Sequence, residues 1–229
     1  MTMRTRRLPN ERLLVLVGFG LASALCVGFE LVREHHYGDA GFRFLLWNLM
    51  LAWIPLLVAL AVYDSYRRGT RLAVLGPGVA LWLLFLPNAP YIVTDFIHLT
   101  PGARTPLWFD GVILSAFAWT GVLLGFVSLY LMHAVVRDRL GPRGGWAAAL
   151  AALALTSAGV YVGRFLQWNS WDVIRRPGQR LAEVVPKLDQ TGALAHAAAI
   201  TLSLTGLLVT TYLAFYSLVG LPVDSDRGG

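Results

Sequence analysis

The chain has 229 residues, of which 56% are hydrophobic and 14% charged, and its formal net charge is +6. Soluble globular domains carry about a quarter charged residues, so this composition excludes an ordinary soluble domain and favours a lipid environment. The arginines flank apolar segments, which predicts the lipid bilayer and its anionic headgroups as partners and argues against nucleic acid. The single cysteine, Cys26, excludes an intrachain disulfide.

Six apolar segments follow one another, each close to the roughly 20 residues that a helix needs to cross a bilayer. They predict an all-α membrane protein, with residues 1–229 forming one polytopic domain that holds a bundle of about six transmembrane helices. The first segment follows a basic N-terminus but lacks a small-residue cleavage site, so we expect a retained helix. The spans are predicted at about 13–32, 44–63, 72–93, 107–136, 146–166 and 194–219.

The third span carries an unusual interruption. Its apolar run from Leu72 to Leu86 is short for a crossing, and only the addition of Pro87 to Val93 brings it to full length. Neither Pro87 nor Pro90 has a backbone N–H, and each ring clashes with the preceding helical turn. The sequence therefore predicts a third helix that is broken at Pro87–Pro90 inside the membrane.

Basic residues in short loops indicate the orientation. Arginines are concentrated before the first span and in the second and fourth loops, which predicts an inner (plasma) membrane protein with both termini cytoplasmic. The fifth loop disagrees, since it holds Arg175, Arg176, Arg180 and Lys187. Two interpretations remain open: a short helix that lies on headgroups, or arginines that hold an anionic substrate at the outer surface.

In this topology the polar residues gather at the outer ends of the spans. Ionisable groups at membrane depth usually pair or line a wet cavity, which favours one outward-facing pocket, although tryptophans there also serve as interfacial anchors. Around such a pocket we expect Asn48, Asp95, Asp110 and Arg164 to lie within reach of one another. The predicted substrate-binding residues are Asn48, Asn88, Tyr91, Asp110, Arg164, Trp168, Asn169 and Asp172, and Glu30 closes the first span on the same side.

Asp95 and His98 are three residues apart, so a helix places them on one face, where they can act as an acid/base pair. Two ligands do not make a metal site, and no metal is predicted; whether a cofactor binds is left open by the sequence. Arg164 can pair with Asp95 or Asp110, lie over Trp168 or clamp an anion. Walker, GxGxxG, HExxH, CxxC and GxSxG motifs are absent from the sequence.

Three segments resemble the motifs of a known family: NLMLAWIPL at Asn48–Leu56, FLPNAPYIVTDFIHL at Phe85–Leu99 and GRFLQWNSWD at Gly163–Asp172. They are similar to a bacterial integral membrane family catalogued as domain of unknown function family 1361. The resemblance implies a multi-pass inner-membrane protein and carries no activity.

Three functions follow as alternatives. The outer pocket binds or modifies a lipid-linked or small anionic substrate, or the same groups form the relay of a small transporter or ion-handling protein, or the chain is an accessory subunit without a site. The sequence decides neither whether the chain is an enzyme nor its oligomeric state.

Overall fold

The computed structural model describes residues 9–101, 104–166 and 193–221, and every regular element in these ranges is helical. The all-α prediction is therefore confirmed. The elements are α1 (Pro9–Tyr37), α2 (Arg43–Arg67), α3 (Leu72–Phe85), α4 (Asn88–Tyr91), a 3₁₀ helix (Ile92–His98), α5 (Leu107–Phe165) and α6 (Ala193–Val219).

Five helical segments of the described chain are long and apolar enough to cross a membrane: Arg12–Tyr37, Arg43–Arg67, Ala73–His98, Leu107–Phe165 and Leu194–Val219. The fourth has 59 residues, far more than the roughly 20 that one crossing needs. The predicted count of about six spans is consistent with this, because α5 contains two arms that are each long enough to cross.

The two arms of α5 meet at Gly141, whose φ of 74° and ψ of 179° are not helical. A glycine adopts this positive φ without steric cost, and Pro142, which has no N–H, is suited to the first position of the second arm. The sequence predicted a loop between residues 136 and 146, but the break occupies a single residue. The arms are residues 107–140 and 142–165.

The predicted break in the third span is present. Helix α3 ends at Phe85, and the chain continues through α4 into the 3₁₀ helix, so that Ala73–His98 still forms one apolar span. The hydroxyl of Thr94 donates to the carbonyl of Tyr91 at 2.7 Å, which satisfies one of the acceptors at the change of helix type.

The chain divides into two compact units, the first formed by residues 1–54 and 88–125. In this unit the Trp53 indole N–H donates to the Ser23 hydroxyl at 3.0 Å, which ties α1 to α2. The sulfur of Cys26 lies 3.7 Å from the Thr120 hydroxyl, between α1 and the first arm of α5. Ala89 of the broken segment is fully buried.

The second unit comprises residues 55–87 and 126–229. Here the Trp82 indole N–H donates to the Ser128 hydroxyl at 3.2 Å, joining α3 to α5. Four rings form an aromatic cluster where α5 meets α6: His133, Trp146, Tyr212 and Tyr216.

Glycines of α5 permit the close packing of the broken segment. A Cβ atom added at Gly121 would lie 2.5 Å from the backbone carbonyl oxygen of Ala89, and one at Gly125 would lie 2.9 Å from the Ala89 Cβ. Within the second unit a Cβ at Gly159 would lie 2.5 Å from the Pro87 ring. Ala89 and Pro87 thus each pack against glycines of α5, which have no side chain in the way.

We expect Gly121→Ala to destabilise the protein by about 1–3 kcal/mol, because a backbone carbonyl cannot move aside as a side chain can. Gly111→Ala is the matched control, since this glycine lies in the same helix with no atom within 4 Å of the added Cβ. Alanine there should be neutral or stabilising by up to about 1 kcal/mol. Thermal unfolding in detergent micelles measures both, and equal effects would contradict the packing described.

Candidate functional site

Two of the predicted site residues meet in the first unit. The Asn48 amide donates to a carboxylate oxygen of Asp95 at 3.0 Å, and Asp95 is fully buried. His98 is exposed, and its ring lies 5.0 Å from that of Phe44. No hydrogen bond or ion pair links Asp95 to His98 in the described chain. The acid/base pairing of these two side chains stays a prediction.

The other predicted residues are distributed more widely. Asn88 and Tyr91 are half-buried in α4, and Asp110 is buried in the first turn of α5. Arg164 is half-buried near the end of α5 and belongs to the second unit. Three predicted binding residues, Trp168, Asn169 and Asp172, lie outside the described residues, as does the basic fifth loop.

Asp110 pairs with Arg33, which lies just beyond the first span predicted at about residues 13–32. The Arg33 Nε–H donates to Asp110 Oδ1 at 2.8 Å, and both side chains are 3% exposed. Two further N–H groups of Arg33 donate to Asp39, one to its carbonyl oxygen and one to its carboxylate, each at 3.0 Å. The guanidinium also lies 4.0 Å from the centroid of the Phe42 ring. Arg33 is thus held on several sides.

Glu30 lies three residues before Arg33 on α1 and is 1% exposed. Neither of its carboxylate oxygens has a hydrogen-bond partner among the described residues. Its charged neighbours include two arginines and three acidic residues: Arg33, Arg43, Glu34, Asp39 and Asp110. We call Glu30, Arg33, Asp39 and Asp110 the Arg33 cluster. In it, one guanidinium is shared among three carboxyl groups.

Aromatic rings link the Arg33 cluster to the segment that carries Asp95. The Phe42 ring, which faces Arg33, lies 6.1 Å from that of Phe44, and Phe44 contacts His98. Asp95 is one turn of the 3₁₀ helix before His98. The predicted residues Asn48, Asp95, His98 and Asp110 all belong to the same unit as the cluster.

Asp39 lies in the loop between α1 and α2, and its carboxylate is 27% exposed. The backbone N–H of Gly41 donates to it at 2.9 Å, and this bond, assisted by Arg33, holds the pKa of Asp39 below its ordinary value. A lowered folded-state pKa means that the ionised carboxylate stabilises the fold above the unfolded pKa of about 3.9. This contribution is lost as the pH falls through the lower, folded-state pKa.

The cluster offers little to a metal ion. Within the described ranges, no group of three or more histidine, cysteine, aspartate or glutamate side chains is placed to hold one. The Arg33 guanidinium donates to two of the three carboxyl groups of the cluster and lies near the third. It would therefore compete with a metal ion for their oxygen lone pairs. The contacts observed in the cluster are those of charge pairing.

The sequence placed Glu30 at this end of the bundle without assigning it a role, and it gave Arg33 no part in the pocket. The predicted first span ended near residue 32, so Arg33 was interpreted as a residue beyond it, whereas α1 continues to Tyr37. The available signal was the i, i+3 spacing of Glu30 and Arg33, which puts both on one face of a continued helix.

The comparisons with known proteins give a family. The profile described as "Protein of unknown function (DUF1361)" matches residues 47–213, most of the chain. The chain belongs to the DUF1361 family. No curated protein and no solved structure matches it. The resemblance drawn from the three sequence motifs is thereby confirmed, and with its apolar helices this DUF1361 protein is a membrane protein of uncharacterised function.

The matched range divides the site in an informative way. The DUF1361 region contains Asn48, Asp95 and Asp110, but it begins after Glu30, Arg33 and Asp39. Asp110, the acidic partner in the buried ion pair, thus lies in the family region. Arg33 and Glu30 lie in α1, before that region.

We expect Arg33→Leu to destabilise the protein by about 3–5 kcal/mol, because it leaves Asp110 buried without its partner. The double variant Arg33→Leu/Asp110→Leu should recover most of that loss. Arg43→Leu is the control: it breaks an ion pair with Glu34 whose side chains are 62% and 36% exposed, and such pairs contribute about 0–1 kcal/mol.

Denaturant unfolding in detergent micelles of the wild type, Arg33→Leu, Asp110→Leu, the double variant and Arg43→Leu gives the five unfolding free energies needed. Purely additive losses in the double variant, or equal effects of the Arg33 and Arg43 substitutions, would contradict the assignment of Arg33–Asp110 as a buried pair.

Proposed function

We propose that this DUF1361 protein is an ion-handling membrane protein in which Glu30 takes up and releases a proton. The observation that carries the proposal is the burial of the Glu30 carboxyl group with no hydrogen-bond partner for either oxygen in the described chain. A buried carboxylate that is neither paired nor hydrogen-bonded is costly, and a proton removes that cost.

The charge of the Arg33 cluster favours a proton over an anion. With Glu30, Asp39 and Asp110 ionised and Arg33 as the only cation, the four side chains sum to −2. Arg33 already donates to Asp110 and Asp39, so its attraction for Glu30 is shared. Glu30 therefore has more negatively than positively charged neighbours. The electrostatic potential at its carboxyl group favours the binding of a positive charge.

The nature of the bound cation follows from the ligands available. A metal ion requires several oxygen ligands, and hard cations in proteins bind six or more. Glu30 offers two oxygens, and no set of three metal-binding side chains occurs in the part of the chain that the structure describes. One proton needs a single oxygen, so it is the cation that this arrangement suits.

Proton flux into liposomes that contain the full chain tests the function. With a potassium gradient and valinomycin setting the membrane potential, an internal pH-sensitive dye should report proton entry for the wild type. Glu30→Gln should reduce the flux to that of empty liposomes, because an amide cannot carry the proton. Glu34→Gln is the matched control, because Glu34 lies about one turn further along α1. This variant should retain the flux.

Wild-type protein without flux above empty liposomes would overturn the ion-handling function. Flux that survives Glu30→Gln would overturn the role of Glu30.

A small or lipid-linked anionic substrate is the second candidate, and one observation favours it. Asp39 reaches Arg33 from an exposed loop, so an external carboxylate or phosphate can take its place beside the buried guanidinium. In this version Asp95 and His98 provide the acid/base groups. Asp39→Asn should then bind inorganic phosphate about tenfold more tightly than the wild type, a gain of about 1.4 kcal/mol, and equal affinities by titration calorimetry would dismiss this candidate.

For the cellular setting, we propose the inner membrane, both termini in the cytoplasm and the Arg33 cluster at the outer face. The support is the concentration of arginines before α1 and between α2 and α3. In a Cys26→Ala background, Ala40→Cys should react from outside intact cells with a maleimide that cannot cross the membrane, and labelling only after permeabilisation would reverse the orientation.

A further inference from the structure

Asp39 is the member of the Arg33 cluster that can leave it at low cost. Its carboxylate is partly exposed, whereas the side chains of Glu30 and Asp110 are buried. It reaches the guanidinium from the loop between α1 and α2. A carboxylate that leaves its partner at such a position regains water, which offsets most of the lost ion pairing. Release of Asp110 would instead leave two buried charges unpaired.

Arg104 offers Asp39 a second cationic neighbour. This arginine is exposed in the segment before α5, and its charge acts on the Asp39 carboxylate as that of Arg33 does. The Gly41 N–H and the two arginines hold the pKa of Asp39 below its ordinary value, so the carboxylate is ionised near neutral pH. Asp39 therefore separates from Arg33 as a charged group, without taking up a proton itself.

The release of Asp39 makes hydrogen-bond donors of Arg33 available to Glu30. The Nε–H of Arg33 donates to Asp110, whereas Nη2 donates to the Asp39 carboxylate. Glu30 lies three residues earlier on the same face of α1. Of the charged groups around Glu30, Arg33 acts on it most strongly. With Asp39 in place, neither Glu30 oxygen has a hydrogen-bond partner in the described chain.

The remaining charged neighbours of Glu30 have partners of their own. Glu34 on α1 pairs with Arg43 on α2 where both are largely exposed, and Asp110 on α5 accepts the hydrogen bond from Nε of Arg33. Both of these contacts can persist while Nη2 exchanges one carboxylate for another. The exchange therefore needs only the loop and the end of one side chain to move.

We propose that Asp39 is a positioning residue that controls the proton on Glu30, an inference that rests on the proposed function. While Asp39 binds Arg33, Glu30 has no donor beside it and keeps its proton. When Asp39 separates towards Arg104, Nη2 of Arg33 donates to a Glu30 oxygen. The O–H bond of Glu30 breaks, its electron pair stays on the carboxylate, and water that enters in place of Asp39 accepts the proton. The return of Asp39 reverses these steps.

Infrared titration of the full chain in lipid tests the proposal, in a buffer free of phosphate and carboxylates that could replace Asp39. The signal is the part of the protonated carboxyl band that Glu30→Gln removes, measured against pH for the wild type, Asp39→Ala and Glu34→Ala. Each variant is compared with its own double variant that also carries Glu30→Gln. Both alanine substitutions remove one carboxylate near Glu30, but only Asp39→Ala releases Nη2 of Arg33.

The pH at which half of this band is lost should be about one unit lower in Asp39→Ala than in the wild type. This shift is a tenfold loss of proton affinity, and it arises because the released Arg33 stabilises the ionised carboxylate. The shift in Glu34→Ala should be smaller. Loss of charge alone predicts the opposite order, since the charge of Glu34 acts on Glu30 more strongly than that of Asp39.

The two levels of the hypothesis fail in different ways. A shift in Asp39→Ala that is no larger than the shift in Glu34→Ala would overturn the positioning role and leave the proposed function intact. A wild type without any band that depends on Glu30 would overturn the proton on Glu30, and the positioning role with it.

Discussion

The burial of the Arg33 guanidinium in the first unit is the constraint on which the candidate site depends. A charge at this depth must be paired, and Arg33 meets the requirement with Asp110 from the first turn of α5 and Asp39 from the loop after α1. Asp110 is itself favourably placed, since the N-terminus of a helix carries a partial positive charge. These bonds fix α1, the loop and α5 relative to one another within the unit. Glu30 is the carboxyl group of the cluster for which no hydrogen-bond partner is found in the described chain.

A second constraint acts on the broken segment between α3 and α5. Two prolines interrupt the helix at a depth where backbone groups need protein partners, and the chain responds by changing helix type instead of forming a loop. Glycines on α5 allow Ala89 and Pro87 to approach its backbone. The same segment then presents Asp95, buried and hydrogen-bonded to Asn48. Packing thus positions a carboxylate that an unbroken helix would present at a different height and angle.

The sequence predicted the features that depend on local chemistry. Apolar runs of spanning length gave the helices, and the missing N–H groups of Pro87 and Pro90 gave the break. Asn48, Asp95 and Asp110 stood out because polar side chains are costly in apolar surroundings. The partners of these residues could not be predicted in the same way, since a pairing between helices depends on how far each helix extends and how it is rotated. One extra turn of α1 beyond Val32 was enough to bring Arg33 to Asp110, for which the sequence had suggested Arg164 as a partner.

The protonation state of Glu30 is the quantity that decides whether the Arg33 cluster binds a proton. Infrared difference spectroscopy on the full chain in lipid, recorded near neutral pH, distinguishes the C=O stretch of a protonated carboxyl group from the bands of an ionised carboxylate. The wild type and Glu34→Gln should both show a protonated carboxyl band that is missing in Glu30→Gln. A band that persists in Glu30→Gln, or a wild-type spectrum that contains only ionised carboxylates, would contradict a proton on Glu30.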